Sequence, residues 1–370
     1  MKKYFLLPIF LFLTIGLTAC VGGTSASSWP GLTVDAEHNT AYLSYGSYIY
    51  AVDLATGTEL WKYPTKASSG KSFYAAPVLT SQGQLVIGSY NGAVYSLDPS
   101  QDPNLTPASI LELLTVKNDR VVGSPLVTEQ AIYIPTANSK LYALDLKGNP
   151  FWATPFKAKD AIWAQPVMDS EGKVIYVASM DHHLYALDAR TGAEAWKPVK
   201  LDGAMVSSPV VSPDGKIYVG TFGSKLYTLD ANNQGAILGT PFKTDGWLWA
   251  SPVLSDNLLF FGDLKGNFYI LDIAENTLKA KIPLDGAILS SPEVISDTVY
   301  VTTEAGSLYT LGFDGKNIRP TMTLSKGKLQ APPVAYKNLV LITPIGGDSI
   351  LIAFDDKGNK LWAYPPPKVK

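Results

Sequence analysis

Leu141-Tyr-Ala-Leu-Asp145 and Leu184-Tyr-Ala-Leu-Asp188 are the same five residues, and variants of them end at Asp53, Asp98, Asp230, Asp272, Gly312 and Asp355. The phrase therefore occurs eight times, at intervals of 40 to 47 residues. A second marker, a proline usually preceded by small residues and followed by Val, stands 20 to 23 residues before each copy, at Pro30, Pro77, Pro125, Pro166, Pro209, Pro252, Pro292 and Pro333. Two markers held in one phase at this period, with several strands per unit, predict an all-β fold: an eight-bladed β-propeller of four-stranded antiparallel blades.

The fifth repeat shows the unit. Met205–Val211 reads as an inner strand, Ser212-Pro-Asp-Gly215 as a turn, Lys216–Gly220 as the second strand and Lys225–Asp230 as the third, with an outer strand to follow. These strands are almost continuously apolar, which fits sheets buried on both faces, as blades stacked around an axis are. The small residues Ala75-Ala76, Gly123-Ser124, Ser207-Ser208, Ala250-Ser251 and Ser290-Ser291 suit the crowded innermost strand. Repeat two is stretched by Pro99–Thr115, read as a longer outer strand with a loop or as a short helix. The last repeat supplies its own outer strand at Lys360–Tyr364 and the first its own inner strand near Leu32–Asp35, so the ring closes without an exchanged strand unless Ser25–Trp29 pairs with the last blade.

The outer strands carry a further signature. Asp53-Leu-Ala-Thr-Gly-Thr-Glu-Leu-Trp61 and Asp188-Ala-Arg-Thr-Gly-Ala-Glu-Ala-Trp196 resemble the tryptophan-docking motif of PQQ-type, quinoprotein-like eight-bladed propellers, with Ala51 and Ala186 completing it and shorter forms ending at Trp152 and Trp362. The resemblance implies that Trp61, Trp152, Trp196 and Trp362 each cover a neighbouring blade. Repeats two, five, six and seven lack the Trp and must pack otherwise.

Met1-Lys-Lys followed by apolar Tyr4–Leu17 has the layout of an export leader, too short to span a membrane comfortably, and Leu17-Thr-Ala-Cys20 resembles the bacterial lipobox. That resemblance implies a signal peptide over residues 1–19, lipidation of Cys20, and anchoring to a membrane by acyl chains. Residues 20–29 then form a lipidated N-terminus and tether, 30–364 the propeller, and 365–370 a C-terminal tail. Val21 stands where inner-membrane retention signals carry Asp. This implies the periplasmic side of an outer membrane, or the extracellular face of the cytoplasmic membrane in a host with only one. Cys20 is the only cysteine, so no disulfide supports the fold.

The chain has 30 basic and 32 acidic residues, and loss of Lys2 and Lys3 with the leader enlarges the acidic excess. Nucleic-acid binding, which needs a positive footprint, is thereby disfavoured. The loops entering the inner strands place an Asp six or seven residues before five of the eight marker prolines, among them Asp160, Asp202, Asp245 and Asp285. On the same face the second-to-third-strand loops add Asp181, His182, Asp263 and Glu304, and the entering loops bring Phe73, Tyr74, Trp163, Trp247 and Trp249. Turn chemistry accounts for the Asp-Gly pairs. An acidic, aromatic rim for a basic segment, a peptide or a sugar is the functional alternative.

Neighbouring His182 and His183 project apart in an extended strand and make poor partners for one metal. No metal, no cofactor and no catalytic residue is expected, for no P-loop, no G-x-S-x-G elbow and no EF-hand run occurs.

A lipobox joined to such a ring resembles the BamB type of outer-membrane-protein assembly factor. The resemblance implies a non-enzymatic, monomeric envelope scaffold with a protein partner. A surface binding propeller for carbohydrate or cell wall is the alternative. A PQQ-dependent dehydrogenase is less consistent: those enzymes resemble this chain in motif but carry an adjacent Cys pair, and no Cys follows residue 20.

Overall fold

The computed structural model describes residues 29–67 and 70–365. Cys20, the leader, the segment through Ser28 and residues 366–370 lie outside the described residues.

Eight antiparallel sheets of four or five strands follow one another along the chain, and a two-stranded ladder joins Lys328–Leu329 to Pro344–Ile345. Blade 1 is Gly31–Asp35, Thr40–Tyr45, Tyr48–Asp53 and Glu59–Tyr63, in that order across the sheet. Blade 4 repeats it with Val167–Met168, Val174–Ala178, His183–Asp188 and Glu194–Lys200. Gly31–Asp35 lies against both Val78–Leu79 of blade 2 and Val334–Tyr336 of blade 8, and the first strands of blades 2 and 3, 6 and 7, and 7 and 8 also touch. First strands are thus innermost and the ring is closed.

The core is divided among eight apolar clusters, each shared by two neighbouring blades. Leu85–Gly88 and Leu258–Gly262 are buried at every position, as the unbroken apolar strands require. Blades 1 and 8 close on each other from their own strands. Trp362 Nε1 donates to the Leu54 carbonyl at 3.0 Å, Tyr336 Oη to the Ala36 carbonyl at 3.2 Å, and the Tyr364 hydroxyl to Glu59. Trp29 joins no strand of the last blade.

The Asp that ends the repeated phrase caps the turn after it. Asp53 Oδ1 accepts from the Ala55 and Thr56 N–H groups at 3.1 and 2.8 Å and from the Thr56 hydroxyl at 2.7 Å. Asp188 repeats this with the Thr191 N–H and hydroxyl at 2.8 and 2.7 Å. The threonine hydrogen bonds, which favour the ionised form, hold both carboxyls below the ordinary value.

The four docking tryptophans cross to the next blade. Trp61, Trp152 and Trp362 donate Nε1–H to the carbonyls of Pro99, Ala189 and Leu54 at 3.1, 2.9 and 3.0 Å. A Cβ built on Gly57, Gly192 or Gly235 would stand 2.5, 2.7 or 2.8 Å from the ring of Trp362, Trp152 or Trp196. At these three junctions the turn glycine is therefore the floor on which the preceding blade's indole lies. Blades 2 and 6 dock aliphatic side chains on the same kind of floor: Leu113 lies over Gly148, and Ala280 with Ile282 over Gly315. Trp196 is only half-buried, and Trp152 docks from a bend after the third strand, because the outer strand of blade 3 is reduced to Phe156–Lys157. In blade 2 the stretched segment holds both a short 3-10 turn, Pro107–Ser109, and an outer strand, Ile110–Thr115.

Candidate binding face

The loops entering the inner strands and the second-to-third-strand turns meet at one end of the ring, and a repeated backbone staple joins them. Within the entering loops of blades 2 to 7 one residue gives its carbonyl to its own blade, and the next gives its N–H to the blade before. Between blades 3 and 4, Ala161 O accepts from Met180 N at 3.0 Å and Ile162 N donates to Thr136 O at 3.1 Å. Blades 6 and 7 are joined identically through Ala287 O to Glu304 N at 2.8 Å and Ile288 N to Asp263 O at 3.1 Å. The same pair recurs at Ser72-Phe73, Arg120-Val121, Ala204-Met205 and Trp247-Leu248. The donor residue of each pair is fully or almost fully buried between the blades. Gly88, Gly220 and Gly262 make room for Val121, Leu248 and Ile288, since a Cβ there would fall 2.2 to 2.6 Å from those side chains.

The carboxylates of this face are engaged with the loops. Asp181 accepts from the Lys159 N–H at 2.8 Å, the His183 N–H at 2.9 Å and the Tyr185 hydroxyl at 2.6 Å. Burial works against its ionisation, but these hydrogen bonds more than offset it and hold the carboxyl below the usual range. Asp202 pairs with the Lys225 ammonium and accepts from the Thr221 hydroxyl at 3.1 Å. Its burial likewise raises, and these partners more than lower, its pKa.

Asp263 is fully buried, taking the N–H groups of Gly246, Lys265 and Asn267 at 3.0, 2.9 and 2.9 Å and the Tyr269 hydroxyl at 2.8 Å. Asp245 meets Lys281 Nζ at 2.6 Å, Asp285 the hydroxyls of Thr303 and Ser307 at 2.7 and 2.5 Å, and Glu304 Lys328 Nζ at 2.6 Å. Asp160 is exposed and accepts the Ala161 N–H at 2.7 Å. His182 occupies a left-handed turn position, φ 71°, while His183 Nδ1 lies 2.9 Å from the Asp181 carbonyl. Among the described residues no three His, Cys, Asp or Glu side chains are gathered to hold a metal ion.

Aromatic side chains occupy the centre and one sector of the same face. Phe222 stacks with both Trp247 and Trp249, with ring centroids 5.2 and 5.6 Å away, and Trp247 is 51 % exposed. Tyr74 packs on Tyr90 at 4.7 Å, and the Arg120 guanidinium lies 5.0 Å over Tyr90. Phe73, which the loop reading places with this rim, is fully buried as a staple residue between blades 1 and 2.

A family model described as outer membrane protein assembly factor BamB matches residues 45–161 and 137–237, together just over half of the chain. The chain belongs to this family. Among solved structures, BamB from Moraxella catarrhalis is similar over 87% of this chain and 92% of its own, at 16% identity and a TM-score of 0.67. The computationally designed Ika8 protein is similar over 91% of this chain and 96% of its own, at 14% identity and a TM-score of 0.71. At these identities the likeness to BamB and to a designed ring alike concerns the propeller fold. No curated protein matches the chain.

Two features of this BamB-family face go beyond the sequence reading. The staple residues Phe73, Val121, Ile162, Met205, Leu248 and Ile288 all stand four positions before a marker proline. These apolar residues form a third periodic marker in phase with the prolines. Trp29 carries no repeat signal, and only the fold shows where it goes.

Proposed function

We propose that this chain is a non-enzymatic, lipid-anchored envelope scaffold of the BamB type, held through Cys20 at the periplasmic side of an outer membrane and presenting its loop face to a protein partner. The observation that carries this reading is how the face spends its reactive groups. Asp181, Asp202, Asp245, Asp263, Asp285 and Glu304 all brace loops or pair with lysines. A rigid ring with braced loops suits recognition, where ordering costs reduce affinity. Membership of the BamB family supports the same role. The test is pull-down of the full chain from envelope membranes, with lipids preserved. Co-purification of a β-barrel insertion protein is expected. Its absence from a double-membrane host, or dye reduction after reconstitution with PQQ and calcium, overturns the proposal.

One observation favours a second reading, a propeller that binds envelope carbohydrate. The Phe222–Trp247–Trp249 stack holds an exposed indole face rigid beside the Asp245–Lys281 pair, and a flat apolar platform flanked by charges fits a sugar ring. Retention on purified cell-wall glycan, lost in Trp247→Ala, separates this reading from the first.

A further inference from the structure

We infer that the mouth of the propeller axis is an indole-binding cage, and that Trp29 fills it in cis. The ring of Trp29 lies 6.0 Å from Tyr74, 6.5 Å from Trp163 and 5.6 Å from Trp249, with interplanar angles of 89°, 64° and 76°. Those three residues belong to the entering loops of blades 2, 4 and 6. A single side chain reaches alternate blades around a closed ring only near its axis, so Trp29 stands at the centre of the loop face. All three contacts are edge-to-face, the arrangement that the quadrupoles of aromatic rings favour.

The walls come from one register position. Tyr74, Trp163 and Trp249 each stand three residues before a marker proline, and the same position holds Val122, Val206 and Leu289 in blades 3, 5 and 7. All six are half-buried, whereas the staple residues just before them are buried between blades. Along this extended stretch, alternate side chains therefore turn toward the axis. Two walls are backed by further rings, Trp249 by Phe222 at 5.6 Å and Tyr74 by Tyr90 at 4.7 Å. The cage is thus preorganised by the propeller, independently of the residue that fills it.

On the reading that Cys20 carries the lipid, the position of Trp29 at the centre of the loop face keeps that face within about 30 Å of the lipidated residue, the full extension of the intervening chain.

Free indole is the probe, and calorimetry on the full chain is the measurement. Trp29→Gly is expected to bind indole and to regain thermal midpoint on its addition. The parent chain binds about tenfold more weakly or worse, because Trp29 holds the site closed. Adding Trp249→Ala to Trp29→Gly is expected to abolish the binding. Equal indole binding by parent and Trp29→Gly, no binding by a folded Trp29→Gly, or binding that survives Trp249→Ala overturns the inference. Should Trp29→Gly fail to fold, 5-fluorotryptophan labelling of the parent decides. The Trp29 fluorine resonance, assigned with Trp29→Phe, must shift in Trp249→Ala, and a resonance at the free-amino-acid position that ignores Trp249→Ala overturns the cage. None of these outcomes depends on lipidation or on a protein partner.

Discussion

The inner and outer edges of the blades are closed by different means. Around the axis, the six junctions from blades 1 and 2 to blades 6 and 7 share one backbone staple and one buried apolar residue. At the perimeter the filler changes from junction to junction: Trp61 under the Pro99 carbonyl, Leu113 on Gly148, Trp152 on Gly192, Ile282 on Gly315. Between blades 5 and 6, where blade 5 has only Ala236–Ile237 and Phe242–Lys243 outside its third strand, a cavity of about 200 Å³ remains, lined by Tyr218, Leu226, Leu238, Phe242 and Leu271. Strands that converge on an axis leave one geometry for the chain to satisfy. Strands that diverge leave a wedge that side chains of several shapes fill. From blade 1 to blade 7 the inner contact repeats, while the outer filler varies.

The comparison breaks most visibly at a perimeter tryptophan. Trp152 is 3 % exposed and hydrogen-bonded across the junction, so Trp152→Ala is expected to cost about 3–5 kcal/mol in urea unfolding. Trp196 carries the fuller sequence motif but is half-buried. Its replacement by Ala is expected to cost about 1–2 kcal/mol, as part of its apolar area stays in water. Equal losses would show that the motif, rather than burial, measures the contribution of each indole.

The inner ring is sharpened by a matched pair. Ile288→Ala is expected to cost about 2–5 kcal/mol. Gly262→Ala is expected to cost about 1–3 kcal/mol by overpacking, since its Cβ would stand 2.4 Å from the Ile288 side chain. The double variant should be less destabilised than the sum of the two, and strict additivity would sever the pairing.

The loop braces add a pH signature. The Asp181 carboxyl titrates lower in the folded chain than its ordinary value. Its contribution is therefore complete above about pH 4 and drains away as the pH falls through the folded pKa. Asp181→Asn is expected to cost about 1–3 kcal/mol at neutral pH by leaving buried donors poorly paired. It should also flatten the acid limb of the stability profile, and an unchanged limb would show that Asp181 does not brace the Lys159 loop.

The binding face was legible in part. The Asp residues before the prolines were visible as a set, but Asp285 accepts from the hydroxyls of Thr303 and Ser307 at the second-to-third-strand turn of its blade rather than within its own turn. Which carboxylates become buried was not legible. Asp263 is fully buried with three backbone N–H groups and a tyrosine around it, while Asp285 stays at the surface. That distinction depends on which strand end the residue occupies after neighbouring blades have come together.

Eight repeats of one phrase, each tied to a proline about half a period earlier, were enough for the chain alone to specify the blade count, the strand order and the ring. These are consequences of local hydrogen-bond pairing and apolar continuity, and local patterns are written along the chain. What the tertiary structure alone decided is the partner of each side chain across a junction. Gly192 became the floor for Trp152, Gly262 the notch for Ile288, and Trp29 the occupant of the axis. Those contacts join residues from different repeats, and their geometry exists only once the ring has closed.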